Sequence, residues 1–149
     1  MARIERRARI KAQVSDIFAY IADFQTIKDY NPSVLQVRTL SDAPPAKGCR
    51  YEITLSMFGR RIRPVLTITD MRENDLIVTR LDAFIPAIEN RRFQAVGDET
   101  DFLFTIEFSS GWPLIGPLVD TILVRLFAGR QADTEVHLLE KRFNIATKK

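Results

Sequence analysis

Hydrophobic and polar residues alternate near the start of the chain, where Ile4, Ala8 and Ile10 lie at even spacing opposite Arg3, Glu5, Arg7, Arg9 and Lys11. That period of two predicts a half-buried strand over residues 3 to 11. The period then lengthens: Ile17, Phe18, Ile21 and Phe24 fall on one helical stripe, with Ser15 placed to cap the helix and Asp16 suited to its first turn. This helix is expected to end near Asp23. Gln25 to Tyr30 allows one more helical turn before Asn31-Pro32 forces an extended or turn conformation.

From Val34 onward the period returns to two. Val34 to Leu40 reads as a strand, ended by the Asp42 to Gly48 loop with its Pro44-Pro45 pair. Tyr51, Ile53, Leu55 and Met57 alternate with Arg50, Glu52, Thr54 and Ser56, the cleanest such run in the chain. The first set is expected in the core and the second in water. A turn at Phe58-Gly59-Arg60 returns the chain as Ile62 to Met71, in which Pro64 predicts an edge or a bulge. Glu73-Asn74-Asp75 turns it again into Leu76 to Leu81. Ile88 to Val96 and Asp101 to Phe108 flank Gly97 to Thr100, read as a four-residue hairpin connection, and Phe102, Phe104, Ile106 and Phe108 share one face.

After Gly111-Trp112-Pro113, apolar residues recur with helical spacing. Ile115, Leu118, Val119, Ile122, Leu126, Ala132, Val136, Leu139 and Phe143 trace a stripe along a helix expected over Leu114 to Phe143. Leu123, Val124 and Phe127 fall outside that stripe, so the first half should be buried on most sides or touch another hydrophobic surface. Gly129 is expected to soften the helix midway. Strands and helices are thus segregated, an α+β arrangement of about six to seven antiparallel strands with two short helices after the first. A twisted sheet of this size must bury its apolar face, and only the C-terminal helix is long enough to cover it. If the sheet curls around that helix without closing onto it, an apolar cavity remains between them. The lining expected from the strands is Tyr51, Ile53, Leu55, Leu66, Ile68, Arg91, Phe93, Phe102, Phe104 and Ile106, and from the helix Leu118, Ile122 and Leu126.

Composition narrows the setting. The 149 residues have the length of one ordinary domain and no Gly/Ser/Pro-rich stretch divides them, so residues 1 to 149 read as a single domain. Cys49 is the only cysteine, which excludes an internal disulfide and favours a reducing cytoplasm. No apolar signal-peptide core follows Met1, and no window of roughly 18 uncharged apolar residues occurs, so the chain is expected to be neither secreted nor membrane-spanning. A net charge of +3 is mild, and the basic residues are interspersed with acidic ones, which gives no support to a nucleic-acid partner. Homo-oligomerisation is left open.

Four segments carry a family resemblance: Ile10 to Phe24, Tyr30-Asn31-Pro32-Ser33-Val34, Gly48-Cys49-Arg50-Tyr51, and Phe104-Thr105-Ile106-Glu107-Phe108 before the terminal helix. In them the chain resembles the START-like helix-grip superfamily, which includes polyketide cyclase/dehydrase-type and lipid-carrier proteins. The opening matches a strand ending in Ala, a helix with Val-x-Asp-x-Phe-like spacing, and a Pro before the next strand. Many relatives carry a Trp before that Pro, where this chain has Tyr30. The resemblance implies a curved sheet gripping the C-terminal helix.

Catalytic motifs are nearly absent. The chain contains no Gly-x-Gly-x-x-Gly, Gly-x-x-x-x-Gly-Lys or Gly-x-Ser-x-Gly, which leaves phosphate cradles and a hydrolase nucleophile elbow unsupported. One His and one Cys do not imply a metal site, and no cofactor is expected. His137 lies one turn from Asp133 and from Lys141, a polar helix face. Cys49 reads as a small buried hydrophobe, and Trp112 as packing at the helix entrance. Tyr51 and Arg91 are the polar groups with inward parity, and Glu89 is placed to pair with Arg91. Such a cavity favours binding or transport of a hydrophobic lipid, isoprenoid or polyketide-like molecule over its transformation. The alternatives are a polyketide cyclase/dehydrase-like enzyme using Tyr51 and Arg91, and protein binding through Leu123, Val124 and Phe127.

Overall fold

The computed structural model describes residues 2–42, 44–57, 59–83, 86–108 and 129–146. Strand β1 (Ala2–Ile10) leads into helix α1 (Val14–Ala22), a 3-10 turn (Phe24–Thr26) and a single-turn helix α2 (Ile27–Tyr30). Strands β2 (Val34–Thr39), β3 (Arg50–Met57), β4 (Arg60–Ile62), β5 (Val65–Arg72), β6 (Leu76–Asp82), β7 (Ala87–Val96) and β8 (Glu99–Phe108) follow, and helix α3 covers Gly129–Ala146. The predicted helical residues Leu114 to Ala128, with Leu118, Ile122, Leu123, Val124, Leu126 and Phe127, lie outside the described residues, as does Trp112.

The strands form one curled antiparallel sheet in the order β1-β8-β7-β6-β5-β3-β2, with β4 paired to β3 off that path. Its two ends are β1 and β2, so the chain's first strand is joined to its last by a continuous register from Ala2↔Phe108 to Ile10↔Thr100. Pro64 has no N–H to give to a ladder, and the expected strand over Ile62 to Met71 divides there into β4 and β5. Asn74 at φ 59 and Gly97 at φ 61 take the left-handed conformation at the two tight turns that join β5 to β6 and β7 to β8. The β7–β8 connection is shorter than its sequence indicated: Val96 pairs with Glu99, leaving only Gly97 and Asp98 between the strands.

Period-two reading holds along β3, where Tyr51, Ile53 and Leu55 are buried and Arg50 and Ser56 exposed. Thr54 departs from it, being buried on the face expected to meet water. It lies where β3 passes from pairing with β5 to pairing with β4, and there the link between those strands crosses the edge, with the Pro64 carbonyl accepting from the Ile53 N–H at 2.9 Å. Ser15 does not cap α1: the helix begins two residues earlier than a Ser15 cap would set it, at Val14, with Gln13 as its cap and no side-chain bond to the free N–H groups. The cap of the next turn is Asp23, whose carboxylate accepts from the Gln25 N–H.

Helix α3 buries Ala132, Val136 and Leu139 in the core. It is fastened along β1 and α1 by an ion pair between Arg6 and Asp133, an edge-to-face contact of Phe143 with Tyr20 at 5.5 Å, and an Asn144 side chain that accepts from the Lys11 N–H at 3.1 Å. His137 is exposed, on the polar face of the helix, and Cys49 is buried.

Candidate functional site

Each strand of the inner face changes character along its length. On β7 and β8, Phe93 and Phe102 pack as tilted rings 5.5 Å apart between centroids, and Phe18 of α1 closes on Phe93 edge-to-face at 5.3 Å. This end is solid core. Towards the other end of the same two strands, Ala87, Glu89, Arg91, Ile106 and Phe108 instead border a cavity of about 310 Å³. The remaining strands divide in the same way: Ile53, Leu55 and Met57 line the cavity and Tyr51 does not, and Leu66 lines it and Ile68 does not.

The opposite wall comes chiefly from the helical segment near the N-terminus. Ile21, Phe24, Ile27, Tyr30 and Asn31 line the cavity, whereas α3 contributes only Gln131 among the described residues. The described part of the C-terminal helix thus meets the cavity at Gln131, and the helix residues expected to line it lie outside the described residues. The described part of α3 packs chiefly along β1, at one end of the sheet, and against α2.

Of the residues singled out in the sequence, Ile53, Leu55, Leu66, Arg91 and Ile106 come together on the cavity wall. Tyr51, Ile68, Phe93, Phe102 and Phe104 share the inner face but are packed into the core beside it; Tyr51 stacks on Phe24 at 4.7 Å, and burial raises its pKa. Leu118, Ile122 and Leu126 lie outside the described residues. Sequence reasoning missed Ile21, Phe24, Ile27 and Tyr30 as lining residues, although the helical stripe through Ile21 and Phe24 had marked a buried face.

One end of the cavity is polar. Arg91, only 6% exposed, stacks its guanidinium over the Phe104 ring at 4.5 Å. Its Nη2 donates to both carboxylate oxygens of Glu135 on α3 at 3.0 and 3.1 Å, and lies 3.1 Å from a carboxylate oxygen of Glu89, two residues away on β7, as an ion pair. Glu135 is 2% exposed and had no signal in the sequence, since it reaches Arg91 across 44 residues of chain. Burial alone would lower the Arg91 pKa, but Glu135 and Glu89 more than reverse this, so the guanidinium stays charged. Burial pushes the Glu135 carboxyl up to about 7; Arg91 opposes the shift and the negative charge of Glu89 adds to it. Tyr30, also buried and lining the cavity, is raised by its burial and remains a neutral phenol. Two buried side-chain atoms lack a partner among the described residues: Arg91 Nε and the Thr79 hydroxyl.

The cavity thus joins apolar walls to a compact set of fixed donors and carboxylates. Among the described residues no group of three or more His, Cys, Asp or Glu side chains gathers as a metal site, and no helix is long and apolar enough to cross a membrane.

The sequence matches the model of the family described as polyketide cyclase / dehydrase and lipid transport over residues 1–144. No curated protein matches it. In fold the chain is similar to a START superfamily protein from Mycobacterium smegmatis, with a TM-score of 0.77 at 19% identity over 97% of this chain and 98% of that one. It is also similar to the Zhui aromatase/cyclase from Streptomyces sp. R1128, with a TM-score of 0.81 at 11% identity over 96% of this chain and 93% of that one. Both likenesses are of fold: a curled antiparallel sheet with a C-terminal helix, the helix-grip architecture.

Proposed function

Because the chain belongs to the polyketide cyclase / dehydrase and lipid transport family, we propose that it binds a hydrophobic small molecule, of lipid, isoprenoid or polyketide-like character, in the cavity between the sheet and α1–α2. The observation that carries this reading is a cavity of about 310 Å³ walled by Ile, Leu, Phe and Met side chains, with its charged groups confined to one end. An apolar body is desolvated by such walls without any reaction, and a polar end orients it. Ile53, Leu55, Leu66, Ile106 and Arg91 are proposed as contact residues.

The test is to extract the purified protein with organic solvent, identify lipophilic material by mass spectrometry, and follow thermal unfolding on adding it back. A ligand that binds only the folded state raises the melting temperature with its saturation. Ile53→Ala and Ile106→Ala are expected to weaken that response by removing contact area, with their own stability loss measured without ligand. Absence of any response across lipids, quinones and polyketide analogues would refute the reading.

A second reading, a cyclase/dehydrase-like enzyme acting on a ligand in the same cavity, is favoured by one feature: a charged guanidinium and a neutral phenol both border the cavity at its polar end. Tyr51 loses its place in that reading because it does not border the cavity. Turnover of a reactive polyketide analogue, reduced strongly in Tyr30→Phe while affinity for an inert analogue stays nearly unchanged, would establish this alternative over simple carriage.

A further inference from the structure

The polar end of the cavity holds one cation and two carboxylates. Arg91 Nη2 is shared between Glu135 and Glu89, at 3.0 to 3.1 Å from each. With both carboxylates ionised the cluster carries one negative charge in excess and with one protonated it is neutral; it offers net positive charge only with both protonated. Around it lie apolar side chains, so little water screens these charges. A ligand carboxylate placed there would be the third on a single guanidinium. Yet the site is not without donors. Tyr30 lines the cavity and carries a phenol there, whereas the Arg91 Nε–H, without a partner among the described residues, is buried away from that space. A donor without an acceptor in such apolar surroundings is costly, and a bound acceptor would relieve that cost. The Tyr30 hydroxyl lies close enough to Arg91, Glu135 and Glu89 to feel all three charges, and no described side chain accepts from it.

Resting on the reading of the cavity as a ligand site, we propose that it selects uncharged hydrophobic molecules bearing a carbonyl or similar oxygen acceptor at one end, and rejects hydrophobic carboxylates such as fatty acids. The acceptor oxygen takes the Tyr30 O–H. The apolar body of the ligand lies along Ile53, Leu55, Leu66 and Ile106. Specificity comes from both parts: a phenol donor that an acceptor satisfies, and an uncompensated negative charge that a carboxylate would face.

Three probes of one ring system separate the parts: naphthalene, 2-acetylnaphthalene and 2-naphthoate, titrated at pH 8, where the naphthoate is ionised. We expect 2-acetylnaphthalene to bind about tenfold or more tighter than naphthalene, the scale of one well-placed hydrogen bond. Naphthoate should bind weaker than 2-acetylnaphthalene by at least a similar factor. Glu135→Gln removes one negative charge and should raise naphthoate affinity relative to that of 2-acetylnaphthalene, and an unchanged ratio in the folded variant overturns the charge argument; should that variant fail to fold, the more accessible Glu89→Gln makes the same change in charge. Naphthoate binding as well as or better than the ketone, or the ketone binding no better than naphthalene, overturns the selectivity and leaves the cavity as a ligand site. If none of the three binds and no lipophilic molecule raises the melting temperature, the ligand-site reading falls with it.

Discussion

Arg91 shows what a single residue's parity discloses. Its place on β7, in step with Phe93, put a guanidinium on the inner face and Glu89 beside it, and both lie there. The second carboxylate was illegible, because Glu135 belongs to a helix whose register against the sheet is fixed only by tertiary packing. A buried carboxyl of this kind has a consequence for stability. The folded state holds the Glu135 proton up to about pH 7, whereas the unfolded chain releases it near the ordinary value of 4.5. Between those values the folded state binds more protons, so this group's contribution to stability is full below the lower value and is lost as pH rises through the upper one. The groups facing it are Arg91 and Glu89 on β7 and Tyr30 on α2. Glu135→Gln should therefore show a smaller loss of stability than the wild-type chain on going from pH 5 to pH 8. Urea unfolding midpoints of both proteins at the two pH values measure the difference; a wild-type chain that gains more than the variant as pH rises would contradict it.

At the scale of elements, local chemistry was the better guide. The β3 alternation, the break at Pro64, and the turns at Asn74 and Gly97 all follow from residue types that restrict or permit backbone conformations, and so were legible. What was illegible is which helix covers which part of the sheet. Among the described residues the roof of the cavity comes chiefly from Ile21, Phe24, Ile27, Tyr30 and Asn31, which no periodicity could place there, because helix packing depends on the curl of the sheet. Phe102 and Phe104 were placed in the cavity for the same reason: alternation gives the face of a strand but not the position along it where core gives way to space. Helix α3 remains essential to the core through its buried stripe. Leu139, fully buried, should cost about 2–5 kcal/mol when replaced by Ala, read from denaturant unfolding. Deleting residues 129–146 should abolish cooperative unfolding altogether, and a soluble truncation with a sharp thermal transition would contradict the role assigned to α3.

Across the whole molecule, the sheet is solid at one end and hollow at the other. Side chains at the Phe93–Phe102 end interlock with α1, while the walls from Ile53 to Phe108 stand apart and leave space. A folded chain that keeps such a volume open forgoes the dispersion contacts that would fill it. The same asymmetry gathers the charged groups of the inner face at the hollow end. It also identifies a substitution that fills the cavity. Ala87 lines the hollow end of β7, is partly buried, and is followed inward by Glu89 and Arg91. Calorimetric titration of the wild-type protein and of Ala87→Trp with 2-acetylnaphthalene tests the cavity most directly, with thermal unfolding of the variant confirming that it still folds. One saturable site in the wild-type chain, lost or weakened by at least tenfold in a folded Ala87→Trp variant, is the expected result; equal binding by the two proteins would place the ligand elsewhere and contradict the assignment.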